Sequence, residues 1–257
     1  MMKTINIILS FIMIGIMGYS CRKDAVKPTP PTSYSYSVWM TDAPGPYNAV
    51  FIDLQGIEIT GSDGKTVLLN VNKGIYNLLN FSNGIDTLIA TGVSEVATLQ
   101  QIRFILGPNN AVVVNNNVVC PLSIPSADQS DLILQLNQTL QDGVQSTILI
   151  DFDANKSIVD DGNGNYKLKP VIRKIDATTS GSIKGRISPV GVFAFVTASS
   201  TTTYCSNVTT TGDFFIAGLP PGNYAVTVTP ALPLTPVTKS NIMVNAGVTR
   251  YIGTIPL

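Results

Sequence analysis

The sequence predicts an all-β protein with two antiparallel β-sandwich domains in tandem, after an N-terminal signal peptide and a tether. Three observations lead to this prediction. No segment after Ser33 keeps its apolar residues at the 3.6-residue spacing of a helix. Apolar and polar residues alternate instead in many short stretches, and clusters of Gly, Asn and Asp separate those stretches.

The composition fits a folded, non-catalytic protein. The 257 residues are 44% hydrophobic and 12% charged, so the chain can build real cores. Its 16 basic and 16 acidic side chains balance, which excludes the basic footprint of a nucleic-acid-binding protein. Histidine is absent, which removes the commonest general base and the commonest metal ligand. We therefore expect no enzymatic activity and no obligatory cofactor.

The first 35 residues are typical of an export and anchoring segment. Lys3 precedes an apolar run from Ile5 to Met17, too short to span a membrane, and small residues lead up to Cys21. This pattern resembles the bacterial lipobox, which implies a signal peptide over residues 1–20 and lipidation of Cys21. The polar, Pro-rich stretch that follows predicts a tether over residues 21–35. The implied location is the outer membrane, at the cell surface or facing the periplasm; the alternative is an ordinary signal peptide with a chance cysteine.

Alternating stretches predict most strands of a first domain over residues 36–177. A phase change at Gly56, in a strand that runs from Val50 to Thr60, predicts a β-bulge. The cluster Asn115–Asn117 between two valine-rich stretches predicts a hairpin. Tyr166–Ile172 alternates as one strand that Pro170 confines to a sheet edge, and Val93–Gln101 could hold a short helix.

A second domain is predicted over residues 181–257, after a small polar patch at residues 178–182. Its stretches of alternation suggest six or seven strands, which is just enough for one small sandwich. Cys120 and Cys205 would then lie in different domains, which favours two buried free thiols over a disulfide.

Ordered motifs give each domain a family resemblance. Residues 36–176 resemble the uncharacterised DUF4382 domain of bacterial surface and periplasmic lipoproteins, through Trp39–Pro44, Gln101–Gly107, Asp151–Val159 and Leu168–Arg173. This resemblance implies a location in the cell envelope, and the family has no established activity. Residues 181–257 are similar to the carboxypeptidase regulatory-like, transthyretin-type domain, through Gly181–Gly185, Thr210–Phe214 and Leu219–Tyr224.

Acidic residues near the end of the first domain form the only candidate metal site that the sequence suggests. Carboxylate and amide oxygens at this spacing can bind Ca²⁺, which takes 6–8 oxygen ligands. The candidate ligands are Asp151, Asp153, Asp160, Asp161 and Asn163. The alternative is a plain hairpin turn at Asp160–Asn165, with Asp151 and Asp153 on the solvent face of their strand.

Four further residues are candidate contacts for a ligand. Trp39, Tyr47 and Tyr204 could serve as aromatic platforms for a sugar, and Asp42 could hold a polar group. The alternatives are a core position for Trp39 and a turn-pinning role for Asp42.

Three functions remain open at this point. The preferred one is a lipid-anchored, non-catalytic surface protein that binds or displays, with a glycan or an envelope protein as partner. The first alternative is a structural or assembly subunit of a surface or fimbrial complex. The second is a hydrolase that uses Asp alone.

Overall fold

The computed structural model describes residues 33–125 and 132–257. The predicted signal peptide, the lipidation site Cys21 and most of the tether lie outside the described residues. Strands are by far the commonest regular structure in the described part, and helices are confined to single turns, which confirms the predicted all-β class. Two separate hydrophobic cores form within it, one from residues 36–168 and one from residues 183–255. We call the strands around them the N-terminal and the C-terminal sandwich.

The N-terminal sandwich is made of two sheets. Its described strands are β1 (Tyr34–Thr41), β2 (Ala49–Gly61), β3 (Thr66–Leu68), β4 (Asn70–Val71), β5 (Gly74–Asn77), β6 (Thr87–Ser94), β7 (Thr98–Leu106), β8 (Ala111–Val114), β9 (Val118–Ser123), β10 (Ile133–Thr139), β11 (Ser146–Phe152), β12 (Ile158–Asp160), β13 (Tyr166–Leu168) and β14 (Ile172–Ile175). One sheet has the order β14-β11-β1-β6-β4, and the other has the order β10-β7-β2-β8-β9-β13-β12 with β3 and β5 also paired to β2.

Short helical turns interrupt these strands at three places. They are the 3₁₀ turns Leu78–Phe81 and Asn115–Asn117 and the single α-helical turn α1 (Ala154–Ser157). Asn116 and Asn117 have φ values of 60° and 59°, a region that asparagine tolerates better than most residues. They connect β8 to β9, which confirms the predicted hairpin.

Other details of the predicted N-terminal sandwich are confirmed or wrong in instructive ways. The register between β2 and β7 shifts between Leu54 and Gly56, which confirms the bulge. The possible helix over Val93–Gln101 is wrong, because those residues end β6 and begin β7. The single strand predicted around Pro170 is also wrong: β13 and β14 lie in different sheets, and the chain crosses between the sheets at Lys169–Val171.

The C-terminal sandwich has seven strands among the described residues. They are β15 (Gly181–Ser188), β16 (Ala194–Ser199), β17 (Thr203–Asn207), β18 (Asp213–Leu219), β19 (Gly222–Pro230), β20 (Val237–Val244) and β21 (Thr249–Pro256). They form a three-stranded sheet, β18-β15-β21, and a four-stranded sheet, β17-β16-β19-β20. Buried side chains alternate along β15 and β19 and meet between the two sheets, as the period of a strand requires.

The sheets are mixed, whereas the sequence predicted antiparallel sandwiches. β1 and β11, β9 and β13, and β15 and β21 pair in parallel. Alternation along a strand reports which side chains share a face, but it carries no information about the direction of the neighbouring strand. The class is therefore predictable from the pattern, and the strand order is not.

Candidate functional site

Asp151 and Arg173 form a buried ion pair on the outer face of the five-stranded sheet. β11 and β14 are antiparallel, and their register places these two residues directly opposite each other. Arg173 Nε and Nη2 lie 2.8 Å and 2.7 Å from Asp151 Oδ2. The carboxylate is 2% exposed, so this pair is largely removed from water.

Arg173 also reaches into the C-terminal sandwich. Its Nη1 donates to the carbonyl oxygen of Gly218 at 2.5 Å, and its Nη2 donates to that of Ala217 at 3.3 Å. The guanidinium carbon lies 4.7 Å from the centroid of the Tyr204 ring, within the range of a cation–π contact. One side chain therefore joins a buried carboxylate of the N-terminal sandwich to two strands of the C-terminal one.

Asp153 organises the one-turn helix α1 beside this pair. Its Oδ1 accepts from the backbone N–H of Lys156 at 3.0 Å, which is the usual work of an N-cap aspartate. Its Oδ2 lies 2.7 Å from Lys156 Nζ, which is itself 5.5 Å from the Tyr204 ring centroid. Asn155 of the same turn donates from Nδ2 to Cys205 Sγ at 3.2 Å. The turn thus contacts the C-terminal sandwich through two consecutive side chains, Asn155 and Lys156.

Asp42 follows β1 and is also buried. Its Oδ1 accepts from the backbone N–H of Ala154 at 2.9 Å, which ties the end of β1 to α1. Burial raises the pKa of Asp42 well above 3.8, and the nearby charges of Asp151 and Asp153 raise it further, while the bond from Ala154 lowers it. The pKa of Asp151 is raised as well, because burial outweighs the opposing effect of Arg173.

A small cavity of about 20 Å³ lies where these groups meet. Asp42 and Asp151 line it together with Arg173, Asn83 and Cys205. Within the described part of the chain, Asp42 Oδ2 and Asp151 Oδ1 are buried oxygens without a hydrogen-bond partner. The cavity is large enough for roughly one water molecule. Burial raises the pKa of the adjacent Cys205 thiol to about 12.

A turn at Asn83–Gly84 supplies a second link between the sandwiches. Asn83, at φ 59°, accepts at Oδ1 from Ser206 Oγ at 2.8 Å and from the backbone N–H of Phe215 at 3.0 Å. Gly84, at φ 80°, packs so closely that a Cβ built on it would lie 3.0 Å from the Phe215 ring. The turn therefore packs on the C-terminal sandwich through the hydrogen bonds of Asn83 and the contact of Gly84 with the Phe215 ring.

The five predicted calcium ligands do not converge on one site. Asp151 and Asp153 are buried and paired with Arg173 and Lys156, so the alternative that placed them on a solvent-facing surface is also wrong. Asp160 and Asp161 lie in an exposed turn and accept from backbone N–H groups two residues ahead, with Asn163 as one donor. No group of three or more acidic or cysteine side chains is arranged to hold a metal ion within residues 33–125 and 132–257.

The predicted ligand residues are dispersed in the same way. Trp39 is half-buried on β1 and donates from Nε1 to Ser37 Oγ at 3.0 Å, and Tyr47 packs against the edge of the N-terminal core. Tyr204 lies at the contact between the sandwiches, where it also meets Tyr224 edge-on at 6.4 Å. Asp42 accepts from the backbone N–H of Ala154, 112 residues away, so the alternative in which it pins a turn through its own backbone is wrong. Cys120 and Cys205 are both free thiols, with Cys120 only half-buried.

Arg173, Lys156 and Asn83 are the residues that sequence reasoning missed. Arg173 ends the motif Leu168–Arg173, to which no site was assigned, and no prediction was made for Asn83-Gly84. A local signal could have raised interest in Asn83, because an Asn-Gly pair often adopts positive φ. The partners of all three residues lie far away in the chain, so no spacing rule would have found them.

These contacts define a mixed β-sandwich protein in which Arg173, the α1 turn and the Asn83–Gly84 turn contact the C-terminal sandwich. The DUF4382 profile, described as a domain of unknown function, matches residues 35–170, just over half of the 257 residues. The chain belongs to this family. No curated protein matches it significantly. No helix among the described residues is both long enough and apolar enough to cross a bilayer.

Solved structures give only remote similarity. The Bacillus anthracis TIE protein is 12% identical, with a TM-score of 0.24, over 87% of this chain and 34% of its own. A leucine-rich repeat protein from Bacteroides thetaiotaomicron VPI-5482 is 12% identical, with a TM-score of 0.22, over 88% of this chain and 26% of its own. The shaft pilin SpaA from Lactobacillus rhamnosus GG, a D295N mutant, is 8% identical, with a TM-score of 0.23, over 88% of this chain and 97% of its own. The chain thus spans about a third of the first protein and about a quarter of the second.

Proposed function

We propose that the protein is a non-catalytic cell-envelope lipoprotein that presents its C-terminal sandwich as a binding module, with a glycan or an envelope protein as partner. The observation that carries this proposal is the network around Arg173, which fixes one sandwich against the other. Two sandwiches fixed against each other would present the C-terminal one in a constant orientation relative to the N-terminal one. That arrangement suits display and recognition.

The use of the acidic residues supports the non-catalytic part of the proposal. An Asp-only hydrolase needs carboxylates that face a cleft able to admit a substrate. The side chains of Asp151 and Asp153 are 2% and 3% exposed, and each forms an ion pair, with Arg173 and Lys156 respectively. The cavity that Asp42 shares with Asp151 is about 20 Å³, which admits a water molecule and no substrate.

The lipid anchor and the location belong to the same proposal. Cys21 follows an apolar run and small residues, and residues 22–31 are polar and Pro-rich. We propose that Cys21 is lipidated, that the protein resides in the outer membrane, and that it faces the cell surface. We also assign the C-terminal sandwich to the carboxypeptidase regulatory-like type, on the motifs Gly181–Gly185, Thr210–Phe214 and Leu219–Tyr224.

Fractionation of cells that express the full chain tests the anchor. We expect the wild type in the membrane fraction and labelled by an alkyne fatty acid, and Cys21→Ala unlabelled. Cys120→Ser is the matched control, because it also removes one free thiol. Equal fatty-acid labelling of the wild type and Cys21→Ala would contradict the anchor.

Binding is tested with the full chain on a glycan array and in a pull-down from envelope extracts. Saturable binding to one defined class of glycan or to one envelope protein supports the proposal. Co-purification with a large surface assembly, lost when residues 181–257 are deleted, would select the structural alternative. Turnover of a substrate that is abolished by Asp151→Asn in a folded variant would overturn the non-catalytic assignment.

A further inference from the structure

The three-stranded sheet of the C-terminal sandwich carries a row of aromatic and cationic side chains on its outer face. Lys184 lies at the centre of this row, opposite Phe215 on β18 and opposite Tyr251 on β21. The adjacent residues Ile183 and Phe214 point into the core, so these three side chains share the opposite face. Tyr251 is 60% exposed, which is high for an aromatic residue within a strand.

The next rung of the same face is a polar pair with fixed geometry. Arg186 donates from Nε and Nη2 to the two carboxylate oxygens of Asp213, at 2.9 Å and 3.0 Å. Thr211 Oγ1 donates to Asp213 Oδ2 at 2.8 Å, so the carboxylate is held from a second side. The Nη1 group of Arg186 has no partner in the part of the chain that the structure describes. A guanidinium held in this way presents its remaining N–H groups to a ligand with little loss of side-chain freedom.

An open cavity of about 590 Å³ adjoins these residues. Its lining includes Lys184, Arg186, Asp213 and Phe215 together with Thr209 and Thr249, and the Asn83–Gly84 turn of the N-terminal sandwich contributes one side. Tyr251 lies outside this lining, next to Lys184 on β21. This volume is within the range of small-ligand sites, about 300–1,000 Å³. Asn83 holds the backbone of Phe215 and Gly84 packs on its ring, so that aromatic wall is fixed in place.

The chemistry of this face selects one class of ligand. Exposed aromatic rings pack against the C–H faces of sugar rings, and threonine hydroxyls and guanidinium N–H groups bond to sugar hydroxyls. Asp213 neutralises one of the two positive charges of Lys184 and Arg186, so this face carries one net positive charge, which complements a single carboxylate. A polyanion such as nucleic acid would need a far larger basic surface, and the chain as a whole is balanced at 16 basic and 16 acidic residues.

We propose that this face, formed by Phe215, Lys184, Tyr251 and Arg186, binds an acidic saccharide, with a sugar ring on Tyr251 and its carboxylate at Lys184 and Arg186. This inference rests on the proposed binding function and names its ligand class. The Asn83–Gly84 turn lines the cavity beside Phe215, so the N-terminal sandwich also shapes the part of the site next to Lys184 and Arg186.

The test uses the full chain on an array of uronate, sialylated and neutral oligosaccharides, followed by calorimetric titration with the best binder and with its methyl ester. We expect a carboxylated glycan to bind and its methyl ester to bind at least about tenfold more weakly. Tyr251→Ala and Lys184→Ala should each weaken binding about tenfold or more, and Lys184→Ala should also remove the preference for the free acid. Lys184→Arg should retain most of the affinity.

Lys73→Ala is the matched control, because Lys73 is an exposed lysine of the N-terminal sandwich. All variants should unfold at the same urea concentration as the wild type, since the substituted side chains are exposed. Binding that ignores both Tyr251 and Lys184, or an array without any carboxylated binder, overturns this inference. If the array is blank while an envelope protein is captured, the ligand class is wrong and the proposed binding function stands. If both are blank, both fail.

Discussion

Removing the Arg173 side chain is the sharpest test of how the two sandwiches are held together. The substitution Arg173→Met keeps much of the aliphatic volume and leaves Asp151 buried without its counter-charge. Three contributions to stability are lost with it: the ion pair, the bonds to two carbonyl oxygens, and the cation–π contact with Tyr204. Breaking a buried pair by removing one partner generally costs about 3–5 kcal/mol.

The structure sets an upper bound on the largest contribution. An orphaned Asp151 can escape its unfavourable charge by taking up a proton, starting from an ordinary pKa of 3.8. At pH 7 this protonation costs roughly 4 kcal/mol, at about 1.36 kcal/mol for each pH unit. The native pKa of Asp151 is already raised, so part of that cost is present in the wild type. Adding about 1 kcal/mol for the bonds to carbonyl oxygens gives an expected loss of ~3–5 kcal/mol.

Urea unfolding followed by the fluorescence of Trp39 provides the assay. Trp39 is the single tryptophan, and it lies on β1 directly beside β11. The double variant Arg173→Met/Asp151→Asn should be more stable than Arg173→Met alone, because it removes the orphaned charge. The defect of the single variant should also shrink below about pH 4, where the carboxyl is protonated in both states. A loss under about 1 kcal/mol, or a double variant no better than the single one, would refute the reasoning.

Three further predictions concern the same framework. Asn83→Ala removes an acceptor shared by two C-terminal groups and places alanine in the left-handed region, so we expect a loss of ~1–3 kcal/mol in urea unfolding; an unchanged midpoint would contradict this role. Burial raises the native pKa of Asp42 above its unfolded value of 3.8, so the native state keeps a proton that the unfolded state releases. The contribution of Asp42 to stability is therefore complete below about pH 4 and is lost as the pH rises through the native pKa. In Asp42→Asn the free energy of unfolding should fall less over this pH range than in the wild type. Parallel pH profiles of the two proteins would exclude the mechanism. Gly185→Ala drives a methyl group into the Phe214 ring and should cost ~1–3 kcal/mol, whereas Gly74→Ala meets open space and should change the melting temperature little; equal effects of the two would show that the close contact is unimportant.

The sequence predicts the local geometry of this protein well, because local geometry depends on neighbouring residues. The Gly56 bulge and the Asn115–Asn117 hairpin follow from the phase of apolar residues and from residues that tolerate positive φ. The parallel pairing of β1 with β11 does not follow, because it depends on how the chain returns across more than 90 residues. The crossing at Pro170 between the two sheets was missed for the same reason.

The site was predictable only in part. Alternation along β11 correctly separates Asp151 from the core residues Ile150 and Phe152, and it therefore placed Asp151 on the outer face of the sheet. That face is not in water at this point, because the C-terminal sandwich covers it with Ala217 and Gly218. A strand pattern indicates which residues share a face. Which residues cover that face depends on segments far away in the sequence, here Ala217 and Gly218.

The reactivity of Cys205 reports how often the two sandwiches separate, because its thiol lies at their contact. Its thiol is 5% exposed, and its pKa of about 12 keeps the reactive thiolate scarce at neutral pH. An alkylating reagent should therefore modify it only during excursions that separate Asn155 from β17. In a Cys21→Ala/Cys120→Ser background Cys205 is the single cysteine, and its rate of labelling reports those excursions directly. A ligand that binds to both sandwiches should lower the rate of Cys205 labelling. A substitution that weakens the contact between the sandwiches should raise it.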